Sequence, residues 1–197
     1  IDKIYVNNSI IIYIYSYMIS KILNFNYKIR SQIARLPGFF LLLHALTIIL
    51  PKYMKVNHFG LKMYIDSRDL RSLKEAFLKS EHNNFMHHAF KNYLQNDMVV
   101  IDVGANLGLF TVIAANKVGN NGHVHSFEPV PSCFDLLEKN CNFYNLQNVT
   151  AYQNIVANKK EKKELWMDKY YSILGSLSGE NLMNKGKKIC IDAITLD

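Results

Sequence analysis

The stretch MVVIDVGANLG, running from Met98 to Gly108, decides the fold. Residues 98–103 are apolar apart from Asp102, the pattern of a parallel strand buried on both faces, and a glycine-containing loop follows over 104–108. Leu109, Phe110, Val112, Ile113 and Ala114 then carry a helix to about Lys117, and Gly119, Asn120, Asn121 and Gly122 supply its turn. Residues 123–127 (HVHSF) read as the next strand, ending at Glu128 and Pro129. Ser132, with Asp135 three residues on, suggests a capping box that opens a second helix with Phe134, Leu137 and Cys141 inward. Residues 148–156 read as a third strand. This order of strands and helices is the first half of a doubly wound, mostly parallel α/β sheet with right-handed crossovers.

Beyond this core the pattern weakens. Upstream, residues 56–65 suggest a hairpin around Gly60, and Ser67 is placed as the cap of a helix carrying Leu70, Leu73, Phe77 and Leu78. A further helix is expected over 84–94. Downstream, 159–164 read as a charged turn, 165–167 as a short strand, 172–179 as a Ser/Gly-rich loop, and 189–197 as a strand that stops at Thr195, Leu196 and Asp197.

Composition narrows the function classes. The 197 residues are 49% hydrophobic and 20% charged, which supports a packed core and excludes a disordered tail. The net charge of +7 comes from scattered lysines without a basic block, so nucleic acid is not the expected partner. Cys133, Cys141 and Cys190 form no CxxC pair, which argues against a disulfide framework or a four-ligand zinc site and for a reducing, cytoplasmic setting. His82, His87 and His88 lack the helical spacing of a metal site, and His123 and His125 share a strand face without a third ligand; no metal is expected. Asp66, Arg68 and Asp69 read as a solvated helix start.

The first 55 residues form an apolar amino-terminal segment. The thirteen residues between Pro37 and Pro51 would span about 20 Å as a helix, short of a hydrocarbon core of about 30 Å. Arg30, Arg35, Lys52 and Lys55 flank the segment and suit an interfacial helix, so membrane contact through residues 10–50 is carried as an expectation beside a buried core helix. The Ile, Tyr and Asn bias of residues 1–17 also suits translated upstream sequence, with Met18 as a natural start.

Ligands of open α/β sheets sit outside the carboxyl ends of the strands, where Asp102, Gly104, Asn106, Gly108 and Glu128 all fall. Glu128, twenty-six residues after Asp102, stands where a carboxylate can accept hydrogen bonds from ribose hydroxyls. A nicotinamide fingerprint would place glycine at Asn106, and a carboxylate at Asp102 would repel pyrophosphate. The same carboxylate suits the ammonium and sulfonium of S-adenosylmethionine.

The motifs DVGANLG (102–108), FEP (127–129) and TLD (195–197) resemble the FkbM family of S-adenosylmethionine-dependent methyltransferases, over a stretch from about Val56 to the last residue. The resemblance implies a Rossmann-like class I methyltransferase fold over 56–197, incomplete at the carboxyl end, since family members continue past TLD into a strand resembling KxDxEG. It implies that Asp102, Gly104, Asn106 and Gly108 hold the methionine part of S-adenosylmethionine and Glu128 its ribose, with Pro129 and Val130 beside the adenine. Val156 and Glu81 are further candidates. The implied reaction is O-methylation of a hydroxyl on a sugar or secondary metabolite, with a small-molecule or glycan acceptor and with the catalytic base unassigned. A nicotinamide-dependent oxidoreductase and a non-catalytic nucleoside-binding fragment are the alternatives.

Overall fold

A computed structural model of the protein describes residues 38, 41, 44, 45, 47, 48, 50–58, 60–69, 72, 73, 92–168, 175–177 and 185–197. They divide into two compact units, one up to Ser80 and one from Glu81.

In the first unit, β1 (Tyr53–His58) and β2 (Leu61–Asp66) form the expected antiparallel hairpin, with Gly60 at φ 83 in the turn. Met54 and Val56 stand opposite Ile65 and Met63, and all four are buried, the period-two pattern of a one-sided hairpin. Ser67 does not cap the next helix. Its hydroxyl donates to the Pro51 carbonyl at 2.6 Å, and the Ser72 N–H is received by Asp69 Oδ2 at 2.7 Å. Asp66 and Asp69 are buried rather than solvated, because Asp66 Oδ1 accepts the Arg68 N–H within the turn and Asp69 serves the helix start. Most of the apolar segment before residue 50 lies outside the described residues, as do the helix expected over 84–94 apart from its last turn and the histidines at 82, 87 and 88. Among the described residues no helix is long and apolar enough to cross a membrane.

The second unit contains β3 (Val99–Val103), α1 (Leu109–Val118), β4 (His123–Phe127), α2 (Pro131–Phe143) and β5 (Val149–Tyr152). The three strands pair in parallel in the order β3-β4-β5, with Asp102 opposite Ser126 and Val124 opposite Val149. Both crossovers step the same way across the sheet, so their common handedness places both helices on one face. There Ala114, Ala115 and Val118 pack with Val100, Val124 and Val149, while Leu137 and Cys141 pack with Val149 and Ala151. Each fully buried Val or Leu side chain in this layer contributes about 1.5–3 kcal/mol.

This arrangement corrects one expectation. The run 98–103 reads as a strand covered on both sides, yet Val99, Ile101 and Val103 are 67%, 51% and 56% exposed, because both helices cover the opposite face. On the open face His123 bonds Thr150, His125 bonds Tyr152, and Phe127 stacks on Tyr152 at 4.8 Å.

Helix α2 starts differently from the capping box. Val130, extended at φ −77 and ψ 115, is its N-cap, Pro131 occupies the first turn, and no side chain caps it. A residue before proline is held in the extended region and proline is preorganised for a helix start, so the Val130–Pro131 step sets the boundary.

A second sheet has the order β6-β9-β7-β8, from β6 (Ile155–Val156), β7 (Glu161–Asp168), β8 (Gly175–Ser176) and β9 (Lys185–Ile194). The strand expected over 148–156 is therefore two strands in different sheets. The charged turn expected from residue 159 is largely strand: Glu161 pairs with Lys159 and Lys163, and Glu164 with Lys188 across to β9. Leu165, Met167, Ile189 and Ile191 of this sheet pack on Val130 and Cys133 at the start of α2.

Candidate functional site

The glycine loop is fastened to the end of β4 through its backbone. Gly104 and Ala105 both donate N–H to the Phe127 carbonyl, at 2.8 and 3.0 Å. Asn106 donates its N–H to Glu128 Oε2 at 2.8 Å, and Val130 donates to Glu128 Oε1 at the same distance. Glu128 is only 5% exposed, so its carboxylate ties the loop, the end of β4 and the entry to α2 into one unit.

Three positive φ values shape the loop: 79 at Gly104, 52 at Asn106 and 88 at Gly108. Asparagine tolerates this region better than most side chains. At Gly104 a Cβ would meet nothing within 4 Å, whereas at Gly108 it would stand 2.7 Å from Leu137 Cδ1. Gly108 therefore serves the approach of α2, and Gly104 faces open space.

Asp102, at the end of β3, accepts the Thr111 hydroxyl on Oδ2 at 2.6 Å, and that hydroxyl lies 2.9 Å from Ser126 Oγ. Burial pushes the Asp102 carboxyl above its ordinary value of 3.8, opposed by the Thr111 hydroxyl and backbone N–H. Glu128 is likewise raised from 4.5, first by burial, against the Val130 and Asn106 N–H groups, with the charge of Asp102 adding to the rise. Two desolvated carboxyls at neighbouring strand ends make a locally acidic mouth, and a cationic ligand group would relieve both penalties.

The structure brings Asp102, Gly104, Asn106, Gly108 and Glu128 together around one strand-end loop, with half-buried Pro129 following Glu128. Val156 belongs to the second sheet, and Glu81 lies outside the described residues. Among the described residues no group of three or more His, Cys, Asp or Glu is placed to hold a metal.

Sequence reasoning missed three buried polar residues: Thr111, Ser126 and Asn140. Asn140 donates Nδ2–H to the Leu107 carbonyl at 2.8 Å, holding the far end of the loop to α2. Periodicity carried a signal for it: Cys133, Leu136, Leu137, Asn140 and Cys141 are the inward face of α2, and a polar residue in that line needs a buried partner.

Fold and site together place a glycine loop and two carboxyl groups at the carboxyl edge of a Rossmann-like half-sheet. Residues 102–197 match the family profile described as the methyltransferase FkbM domain, which bears out the resemblance of DVGANLG, FEP and TLD. Methyltransferase 1 of Beauveria bassiana (strain ARSEF 2860) is 31% identical over 58 residues, which are 29% of this chain and 23% of that protein. The match thus spans about a quarter of that relative's length. Among solved structures, a SAM-dependent methyltransferase from Aquifex aeolicus is similar at 20% identity and TM-score 0.34, over 41% of this chain and 45% of that one. M. jannaschii TYW2 in complex with AdoMet is similar at 16% identity and TM-score 0.41, over 56% and 52%.

Proposed function

We propose that the protein is an S-adenosylmethionine-dependent methyltransferase acting on a hydroxyl oxygen of a sugar or secondary metabolite. One observation carries the reading: Asp102 and Glu128 stand beside a glycine loop at the ends of adjacent parallel strands, near enough that the charge of Asp102 acts on Glu128. The match of residues 102–197 to a methyltransferase domain supports it independently.

The residues present suit this cofactor. An acidic mouth favours an ammonium and a sulfonium and disfavours a pyrophosphate, and open space beside Gly104 leaves room against the backbone. In this reading Asp102, Gly104, Asn106 and Gly108 hold the methionine part, Glu128 the ribose, and Pro129 borders the adenine. Each Glu128 oxygen accepts one backbone N–H and keeps a further lone pair for a hydroxyl. When bound, the cofactor supplies a methyl group on a cationic sulfur, open to in-line attack by an acceptor oxygen. The chain's own contribution is a fixed charge at Asp102 and a loop whose geometry is set before binding.

The proposal takes 56–197 as the methyltransferase domain and 1–55 as an apolar segment, with membrane contact through residues 10–50. It also takes a small-molecule or glycan acceptor rather than nucleic acid, and a cytoplasmic location. Calorimetric titration with S-adenosylhomocysteine and with NAD tests the cofactor. S-adenosylhomocysteine is expected to bind, with Asp102→Ala and Glu128→Ala each weakening it; binding of NAD alone would overturn the reading, and silence toward both would favour a non-catalytic fragment. Unchanged affinity in both variants would show that the site lies elsewhere.

A further inference from the structure

Among the described residues, Asp102 is the candidate ligand-holding group whose carboxyl is hydrogen-bonded by a side chain outside the loop. Thr111 lies in the first turn of α1, nine residues on from Asp102, and is fully buried with Ser126. A threonine hydroxyl has one proton to give. With that proton directed at Asp102 Oδ2, the 2.9 Å contact to Ser126 is filled by the serine donating to Thr111. With the serine donating, the two hydroxyls form a directed chain from β4 through α1 to the end of β3, and its last hydrogen bond is strongest when Asp102 is ionised. Register places Ser126 directly opposite Asp102, so the three groups are held by strand pairing as well as by packing.

We propose that Thr111, backed by Ser126, is a positioning residue that keeps Asp102 charged and fixed for a cationic group of the ligand. The inference rests on the cofactor reading above. The other titratable groups acting on this corner are Glu128 at the end of β4, whose charge opposes that of Asp102, and Cys141 on α2. Burial works against the charge on Asp102 and the Thr111 hydrogen bonds work for it, so removing the hydroxyl shifts the balance toward the neutral acid.

The test is the pH dependence of S-adenosylhomocysteine affinity in the intact chain, with Thr111→Val, Thr111→Ser and Asp102→Asn compared. In the unmodified protein affinity is expected to fall on the acid side as Asp102 takes up a proton, and Asp102→Asn is expected to abolish that limb. Thr111→Val, which keeps the shape and removes the hydroxyl, is expected to move the limb up by about one pH unit, so that binding on its acid side weakens about tenfold. Thr111→Ser is expected to restore it. A limb that stays in place in Thr111→Val overturns this inference and leaves the cofactor reading standing; no binding by the unmodified protein overturns both. A carbon-13 carboxyl titration of Asp102, assigned through Asp102→Asn, gives a readout without ligand. The same upward move in Thr111→Val supports the inference, and identical titration in both proteins overturns it.

Discussion

Replacing Gly108 by alanine separates two costs that a glycine motif ordinarily merges. The residue sits at φ 88, where an L side chain costs about 1–2 kcal/mol. Its new Cβ would also lie 2.7 Å from Leu137 Cδ1 and 3.5 Å from Leu137 Cα, in a cluster where Leu137 is fully buried, and overpacking of this kind costs about 1–3 kcal/mol. Together Gly108→Ala is expected to lose about 2–5 kcal/mol. Gly104→Ala, at φ 79 with nothing within 4 Å of the added carbon, keeps only the first cost and is the internal control. Urea unfolding followed by Trp166, the sole tryptophan and part of β7 in the same unit, measures both. The midpoints are expected to differ by about 1 M, given slopes of about 1–3 kcal/mol per molar. A double-mutant cycle with Leu137→Ala should show coupling, since truncating Leu137 removes the clash that the alanine creates. Equal losses at Gly104 and Gly108, or a Leu137→Ala cost unchanged by the Gly108 substitution, would refute the packing argument.

Two further outcomes follow from protonation. Asp102 and Glu128 hold protons more tightly in the folded than in the unfolded chain, so the stability they contribute is full below their ordinary values of 3.8 and 4.5 and is lost as pH rises through the raised ones. Relative to the unmodified protein, an Asp102→Asn/Glu128→Gln variant should therefore gain stability between acid and neutral pH in urea titrations; a relative loss over that range would show that the folded state favours the charged carboxylates. Burial pushes the Cys141 thiol up to about 11 and Cys133 is buried, while Cys190 is exposed. Ellman's reagent at pH 8 should consume one thiol per chain rapidly, and Cys190→Ser should abolish that phase; a rapid phase surviving the substitution would show that α2 opens.

The parts of the fold that were legible in the sequence are those specified locally. The apolar run before Asp102, the left-handed positions Gly104, Asn106 and Gly108, and the boundaries of His123–Phe127 follow from nearby residues alone. Glu128 was placed at the loop because strand order fixes which strand ends are neighbours, and its hydrogen bond to the Asn106 N–H agrees with that placement. The charged stretch from Glu161 was misread because its stability comes from a distant partner: Glu164 meets Lys188 across β9, twenty-four residues away, and no local alternation of apolar residues announces the strand. Ser132 looked like a cap because a capping box is a local pattern, yet the Val130–Pro131 step starts the helix two residues earlier. Thr111 and Ser126 were hidden inside apolar runs, where a hydroxyl is inconspicuous until register brings it beside a carboxylate.

The one-sided cover of the first sheet gives its strands a parity of tolerance. Along β3, a polar replacement at Val100 enters the layer packed by α1, while the same replacement at Val99 or Ile101 meets solvent. A saturation library over residues 99–103 and 123–126 should alternate between intolerant and permissive positions with a period of two, and the alternation should end at Phe127, which is buried against Tyr152. The permissive set, at 99, 101 and 103, is where surface charge can be added to raise solubility without touching the acidic mouth at Asp102.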